Sequence, residues 1–426
     1  MSLFSEHLEK VATVLTSYQA LIDSHLVDFI TENLWDQCLP KSLRNELETL
    51  SSNSIINANF YGQESTTPEL YKFCKLINAL SLDKCNLVYD LRDIPDLFLE
   101  WGIDLKNLES KIHNSRLDFM NAKKSYEVEI VARITSSLAE IHSSAVIDAG
   151  AGKGYLSQHI SEKYKIPVLA IDSSDIAHRG AIRRQNILQK KPNQSSNLVH
   201  HLAQRIDEFT EFAELAEKYF PTWSLSENLT LTGLHTCGSL GHSVIKAFLK
   251  TGCIKSLCLV TCCYHLAETS LGGKLNISKN AKMLAQQSVQ RSCQNEYSLS
   301  PTLHYRAVFQ VLLHSLGMQD VKVGRGAPVD NFVTYAKWAL NKIGLDPTQI
   351  PPDNVIEELY SSHESFKAKM ELFQTLRIQL GSVIESAILL DRIIYLQDSK
   401  VCSNFALVRL FDPLISPRCY GIIAIK

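Results

Sequence analysis

The chain has 426 residues, with 43 Lys+Arg against 45 Asp+Glu, a net charge of -2, and 45% hydrophobic against 21% charged residues. This is the balance of a globular protein long enough for two or three domains. It excludes a globally basic nucleic-acid binder but leaves room for a local basic face.

No segment calls for a membrane. The longest apolar-looking stretch without a charge, Asn228 to Ile245, carries several Thr, three Gly and two His, whereas a span needs about 20 mostly apolar residues. Glu6, His7, Glu9 and Lys10 stand where a signal peptide would be apolar. The 11 cysteines are odd in number, and Cys253, Cys258, Cys262 and Cys263 lie in apolar runs, so no disulfide framework is indicated. These features predict an intracellular protein of the cytoplasm or nucleus, with free thiols.

The first hundred-odd residues read as helices. Leu8, Val11, Leu15 and Tyr18 recur at helical spacing, a second element begins near Pro40, and a third covers Pro68 to Leu80. We expect a helical amino-terminal domain over 1–118 and a second domain over 119–426. From residue 144 short apolar runs alternate with helical stretches. SAVIDAGAGKG is followed by YLSQHISEKY, IPVLAIDSS by IAHRGAIRRQNILQKK, and NLVHHLAQ by a helix over Phe209–Tyr219. LTLTGLHTC, SVIKAFLKTG and SLCLVTCCYH complete the series. Five strands alternating with helices predict an open, mostly parallel α/β sheet covered on both faces. A helical insert fills about 266–390. FALVRLFDP and CYGIIAIK then form an antiparallel pair that closes a seven-stranded mixed sheet.

The strongest chemical signal is the run from Val146 to Gly154, with Gly150, Gly152 and Gly154 in a turn before a helix. Glycines permit unusual dihedrals and let a ligand approach the backbone, and the helix start adds unpaired N–H groups. This is a nucleotide-type site at the carboxyl end of the first strand. The spacing is G-x-G-x-G, not the dinucleotide G-x-G-x-x-G, with Asp148 two residues before it. It resembles motif I of class I methyltransferases, whose Rossmann-like fold binds S-adenosylmethionine. The resemblance implies Asp148 near the cationic methionine end of that cofactor. Asp172 closes the next strand, 18 residues after Gly154, where a carboxylate accepts from both ribose hydroxyls. An NAD-binding dehydrogenase and a non-binding relic of the fold are the alternatives.

The next two strands end in Leu234-His235-Thr236-Cys237-Gly238 and Thr261-Cys262-Cys263-Tyr264-His265. In an open parallel sheet both ends face the cofactor crevice, so we expect two His, three Cys and one Tyr to converge. Three readings stay open. The thiols and imidazoles are metal ligands, although H-x-C and C-C-x-H are not the usual zinc spacing. They are buried packing residues. Or His235, Cys237, Tyr264 and His265 form the acceptor site, with a histidine orienting the acceptor or taking its proton. We take the third, without a resident metal. Methyltransferases acting on adenine amino groups resemble one another in an N/D-P-P-Y/F motif at the fourth strand end, which this sequence lacks.

Taken together, the chain resembles the methyltransferase-like protein 25 family, some members of which are called ribosomal RNA adenine dimethylase domain-containing proteins. The pieces are Lys123-Lys124-x-Tyr126-Glu127-Val128, Asp148 through Ser157, Gly233 through Leu240, and Cys262-Cys263-Tyr264-His265-Leu266. In the tail they are Leu390-Asp391-Arg392, Ala406-Leu407-Val408, Phe411-Asp412-Pro413 and Ser416-Pro417-Arg418, with an early Trp35 and Leu39-Pro40. Two positions depart from the family, Tyr126 for His and Ser239 for Asp. The core is also similar to transfer-RNA 2′-O-methyltransferases of the acceptor stem. These resemblances imply an S-adenosylmethionine-dependent methyltransferase and raise an RNA hydroxyl as acceptor.

Ile176 to Ile206 has no Asp or Glu but has Arg179, Arg183, Arg184, Lys190, Lys191 and Arg205, a set suited to RNA phosphates. Acidic Asp207, Glu208, Glu211, Glu214 and Glu217 follow, so a solvated helix face fits equally. In the insert, Lys274, Lys279, Lys282 and Arg291 have only Glu268 nearby, and Gly272-Gly273 offers a hinge. An RNA or a protein is the expected acceptor. A non-catalytic interaction protein on the same fold is the rival from another class.

Overall fold

The computed structural model describes residues 2–51, 54–55, 67–103, 120–189, 198–220, 228–267, 269–273, 275–287, 300–318 and 321–426. The chain divides into two compact units: residues 1–12, 82–286 and 385–426 in one, and 13–81 with 287–384 in the other.

The first unit holds one sheet. Its strands are β1 (Tyr89–Asp90), β2 (Ala145–Ala149), β3 (Val168–Asp172), β4 (Val199–Ala203), β5 (Leu229–Cys237), β6 (Ile254–Cys262), β7 (Asn404–Arg409) and β8 (Tyr420–Ile425). Their order is β1-β7-β8-β6-β5-β2-β3-β4. All neighbours are parallel except those of β8, which runs against both β6 and β7. The expected closing pair is therefore present, registered from Asn404↔Ile425 to Arg409↔Tyr420. The expected seven strands become eight. The added β1 spans two residues, too few for any period to mark it in sequence.

Every residue of β2 and of β8 is buried, as strands covered on both faces require. Thr230 and Thr232 of β5 are buried too, yet they follow the rule that buried polar groups are paired. Thr232 Oγ1 lies 2.9 Å from Thr135 Oγ1, and Thr230 Oγ1 lies 2.6 Å from Ser144 Oγ and 2.8 Å from Ser256 Oγ.

Among the helices of this unit are α1 (Ala122–Ile141), α2 (Tyr155–Tyr164), α3 (Asp175–Gln189), α4 (Phe212–Tyr219) and α5 (Leu240–Lys250). Asn121 caps α1, its side chain accepting from the Lys124 amide at 2.8 Å. Glu129 of α1 receives hydrogen bonds from His159 (2.7 Å) and Lys163 of α2. Burial acts to raise its carboxyl, but the bonds from His159 and Lys163 outweigh that and bring it down to about 2.

In the second unit every regular element among the described residues is helical. Its core gathers Tyr305, Phe309, Phe332 and Tyr335, with Tyr360 packed against them. Tyr360 stacks on Phe332 with centroids 5.1 Å apart. Glu46 closes the open amino end of helix Pro68–Leu80, accepting from the Glu69 and Leu70 amides at 3.0 Å.

Candidate active site

The strand order reverses between β2 and β5, and that switch point is where an open α/β sheet leaves a crevice beyond its strand ends. The turn after β2 lies there. Gly150, Gly152 and Gly154 have φ of 73°, 58° and 68°, left-handed conformations that a side chain disfavours. The turn is pinned by backbone: the Gly150 amide donates to Ile171 O at 2.8 Å, and the Gly154 amide to Ala151 O at 2.9 Å. At Gly154 a Cβ would lie 2.7 Å from His201 Cε1, whereas at Gly152 it would meet nothing within 4 Å.

Asp172 shapes the same place. Its Oδ2 accepts from the Gly152 amide and its Oδ1 from the Ser174 amide, both at 2.8 Å. Around it opens a cavity of about 250 Å³, lined by Gly150, Ile171, Asp172, Ser173, Gln204, Arg205, Ile206, Ser239, Leu240 and Ser243. The departing residue Ser239 is thus part of that lining.

Asp148 is 1% exposed and lies beneath the turn. Its Oδ2 accepts from Ser157 Oγ at 2.6 Å, tying β2 to α2. Burial, and then the charge of Asp172, raise its carboxyl to about 6. The cost of burying a charge favours its neutral form.

His235 sits at φ 65° where the β5–β6 register shifts. Its Nε2 is 3.0 Å from Glu127 Oε2. Glu127 is 2% exposed, and its other oxygen lies 3.7 Å from Lys123 Nζ. Burial alone would raise the Glu127 carboxyl, but the hydrogen bond and charge of His235 prevail and hold it below its ordinary value. With Nε2–H donating to this carboxylate, Nδ1 is left as the acceptor of the neutral ring. In the sequence Glu127 is legible only as a letter of the Lys123–Val128 motif, which assigns it no role.

The thiols converge as expected. Cys237 Sγ is 3.2 Å from Cys262 Sγ, which is 3.7 Å from Cys263 Sγ. The hydrogen bond from Cys262 brings the Cys237 thiol down to about 6, and that same bond pushes Cys262 up.

Tyr264 and His265 have hydrogen-bond partners of their own. Tyr264 is 2% exposed, and its hydroxyl donates to Glu385 Oε1 at 2.8 Å. The guanidiniums of Arg392 and Arg418 lie 5.2 and 5.7 Å from its ring centre. Burial, and then Glu385, push its hydroxyl well above its ordinary value. His265 Nδ1 is instead bonded to Gln286. The cause is a left-handed Cys263, φ 49°, after which the chain turns into a single 3-10 turn. Strand alternation does not extend to these two residues.

The tail motifs build this wall. Asp391 accepts from the Leu271 and Gly272 amides at 2.6 and 3.0 Å, so the expected Gly272-Gly273 hinge is pinned. Arg392 donates to Thr261, and Arg418 to Ala285 O at 2.6 Å and Glu385 Oε1 at 3.2 Å. Lys282 is buried and donates to Ala267 O at 2.7 Å.

On α3, Arg179 and Arg183 are exposed, as is Arg205. Arg184 instead lies over the Tyr155 ring, 4.5 Å from its centre. Lys190, Lys191, Glu268, Lys274 and Arg291 lie outside the described residues. A second cavity of about 640 Å³ has Arg92, Tyr126, Arg133, Arg409, Phe411 and Asp412 in its wall. Tyr126, the other departing position, accepts there from the Asp412 amide at 3.0 Å. Among the described residues, no helix is long and apolar enough to cross a membrane.

Residues 123–270 match the family model described as a methyltransferase domain. The chain is similar to probable methyltransferase-like protein 25 of Homo sapiens, 24% identical over 584 residues, covering 98% of this chain and 96% of that one. The mouse (Mus musculus) protein of that name is also 24% identical, over 576 residues, with 99% and 96% covered. A solved plantazolicin methyltransferase in complex with SAH aligns at 10% identity over 75% of this chain and 94% of that one. Its TM-score of 0.22 gives it no weight here. The chain carries a methyltransferase domain on an α/β fold, and methyl transfer is the activity that domain implies.

Proposed function

We propose that the chain transfers a methyl group from S-adenosylmethionine to an acceptor in RNA. The observation that carries the donor is the cavity of about 250 Å³ at the switch point, bordered by Gly150 and the Asp172 carboxylate. The residues fit this group. The open space before Gly152 admits a ligand against bare backbone, and Asp172, held by two amides, lines the cavity. When bound, the donor supplies an electrophilic methyl on a positively charged sulfur.

The chain's residues supply alignment, the main term in a direct displacement. Gly150, Gly152 and Gly154 let the donor reach the backbone, and Asp172 receives its ribose hydroxyls. Asp148 holds the turn from below and sets a carboxylate near the cationic end. His235, fixed by Glu127, takes the acceptor's proton at Nδ1. Cys237 forms the exposed rim beside it. Tyr264 and His265 support the wall behind.

RNA is favoured by exposed Arg179, Arg183 and Arg205. It is favoured too by a cavity whose wall combines Tyr126 and Phe411 with Arg92 and Arg133, since unpaired bases stack on aromatic faces and guanidiniums meet phosphates. The test is incubation with methyl-labelled S-adenosylmethionine and total cellular RNA or protein. Label is expected in a nuclease-sensitive, protease-resistant fraction, lost with His235→Ala. Label confined to protein would overturn the acceptor, and no incorporation or donor binding would overturn the whole reading.

A further inference from the structure

We propose that Cys237, Cys262 and Cys263 form a zinc site with its fourth coordination position open to solvent. The ligand atoms of these residues all lie within 4.8 Å of one another, with Sγ separations of 3.2 Å (237–262) and 3.7 Å (262–263). Two thiolates held at about 2.3 Å by a tetrahedral ion are about 3.8 Å apart. A small rotamer adjustment, chiefly an opening of the 237–262 pair, therefore fits the set to an ion.

The backbone shows how the convergence arises. Neighbouring residues of a strand point to opposite faces, so Cys262 and Cys263 in regular β6 would diverge. Cys263 instead leaves the strand at φ 49°, which returns its sulfur to the side of Cys262. On the adjacent strand, His235 at φ 65° interrupts the register and Cys237 is set opposite Cys262. Left-handed backbone is disfavoured at a residue with a Cβ. Of these two left-handed residues, Cys263 brings its own sulfur to the cluster and His235 sets the register that places Cys237 there, and strain of this kind gathers at functional sites.

The chemistry of the set selects the ion. Three sulfurs are soft donors that suit zinc and exclude magnesium or calcium, which take oxygen. Binding breaks the remaining S–H bonds, forms three Zn–S bonds and releases those protons to solvent. Among the described residues no further His, Cys, Asp or Glu joins the group, so a solvent ligand completes the tetrahedron. Cys262 is buried, Cys263 is half-buried and Cys237 is exposed, so the open position faces outward on the side of Cys237. Three protein ligands with one open position is the arrangement of catalytic rather than structural zinc.

The experiment uses the full chain, stripped by chelator in a non-thiol reductant and titrated with Co²⁺, then with Zn²⁺. We expect one equivalent of Co²⁺, a sulfur-to-cobalt charge-transfer band in the near ultraviolet, and loss of that band as Zn²⁺ displaces it. Cys237→Ser and Cys263→Ser, at positions not fully buried, should each weaken binding more than about tenfold while circular dichroism shows the fold retained. Cys402→Ser, outside the cluster, should leave it unchanged. No charge-transfer band from folded wild type, or equal binding by Cys237→Ser and Cys263→Ser, would overturn the site. The titration needs neither methyl donor nor acceptor, so its outcome is separate from that of the methyl-transfer reading.

Discussion

The two halves of the crevice are built from different materials. The proposed donor half is framed by residues 148–174, mainly through backbone: three left-handed glycines, their amides and one carboxylate held by two N–H groups, with Gln204 to Ile206 and Ser239, Leu240 and Ser243 completing its wall. The acceptor half consists of side chains brought together by topology. Glu127 and His235 are 108 positions apart, and Cys237 and Cys262 are 25 apart. A site made of consecutive backbone has its geometry dictated by spacing. A site made of distant side chains has its geometry dictated by strand order and by local breaks in strand regularity.

The largest expected effect lies in the acceptor half. His235→Ala should lower the turnover of methylation by about 10²-fold or more while leaving donor affinity within threefold. Glu127→Gln should follow it in the same direction, because it withdraws the carboxylate from Nε2. Equal loss of donor affinity in both variants would show that the halves are not separable.

Asp148 sharpens the contrast from the donor side. Its carboxyl is raised to about 6 by burial, so the folded state favours the neutral form. That contribution is full below about 4, the ordinary carboxylate value, and is lost as pH rises through about 6. Asp148→Asn keeps the shape without the charge. In urea unfolding the variant should gain on wild type by roughly 2 kcal/mol between pH 4 and pH 8, while binding the donor more weakly. A stability difference that does not change with pH would contradict the assignment.

Tyr264→Phe should cost about 1 kcal/mol, from the one hydrogen bond that Glu385 loses while it keeps that of Arg418, with methylation unchanged per folded molecule. A large rate loss would return Tyr264 to the acceptor site. The smallest effect is expected at the rim. Arg183→Glu should weaken RNA binding a few-fold and flatten its log–log salt dependence by about one unit.

The alternation of apolar runs and helical stretches reveals β2 to β6, and two apolar runs in the tail reveal β7 and β8, because each strand spans five or more consecutive residues. Tyr89–Asp90 carries no such run. The glycine turn and Asp172 were legible for the reason given above. The convergence of three sulfurs was legible from strand ends alone, but the departure of Tyr264 and His265 was not, since it depends on one left-handed residue, Cys263. Asp391, Arg392 and Arg418 were visible only as motif letters. Their partners, the Leu271 and Gly272 amides, Thr261 and Glu385, come from other segments of the chain. Phe209 was read as the start of a helix that begins at Phe212. The Asp207 carboxylate accepts from the Phe209 amide at 2.9 Å and forms a turn there instead.

The most direct test of the account is calorimetric binding of S-adenosylmethionine and S-adenosylhomocysteine to wild type and to Gly152→Arg. The arginine enters open space, so the fold should survive with a modest loss from the left-handed φ while the space before the turn is filled. We expect one site in wild type, no detectable binding in the variant, and a melting temperature that rises with ligand only in wild type. Well-folded wild type that binds neither ligand, or a variant that binds as wild type does, would contradict the account.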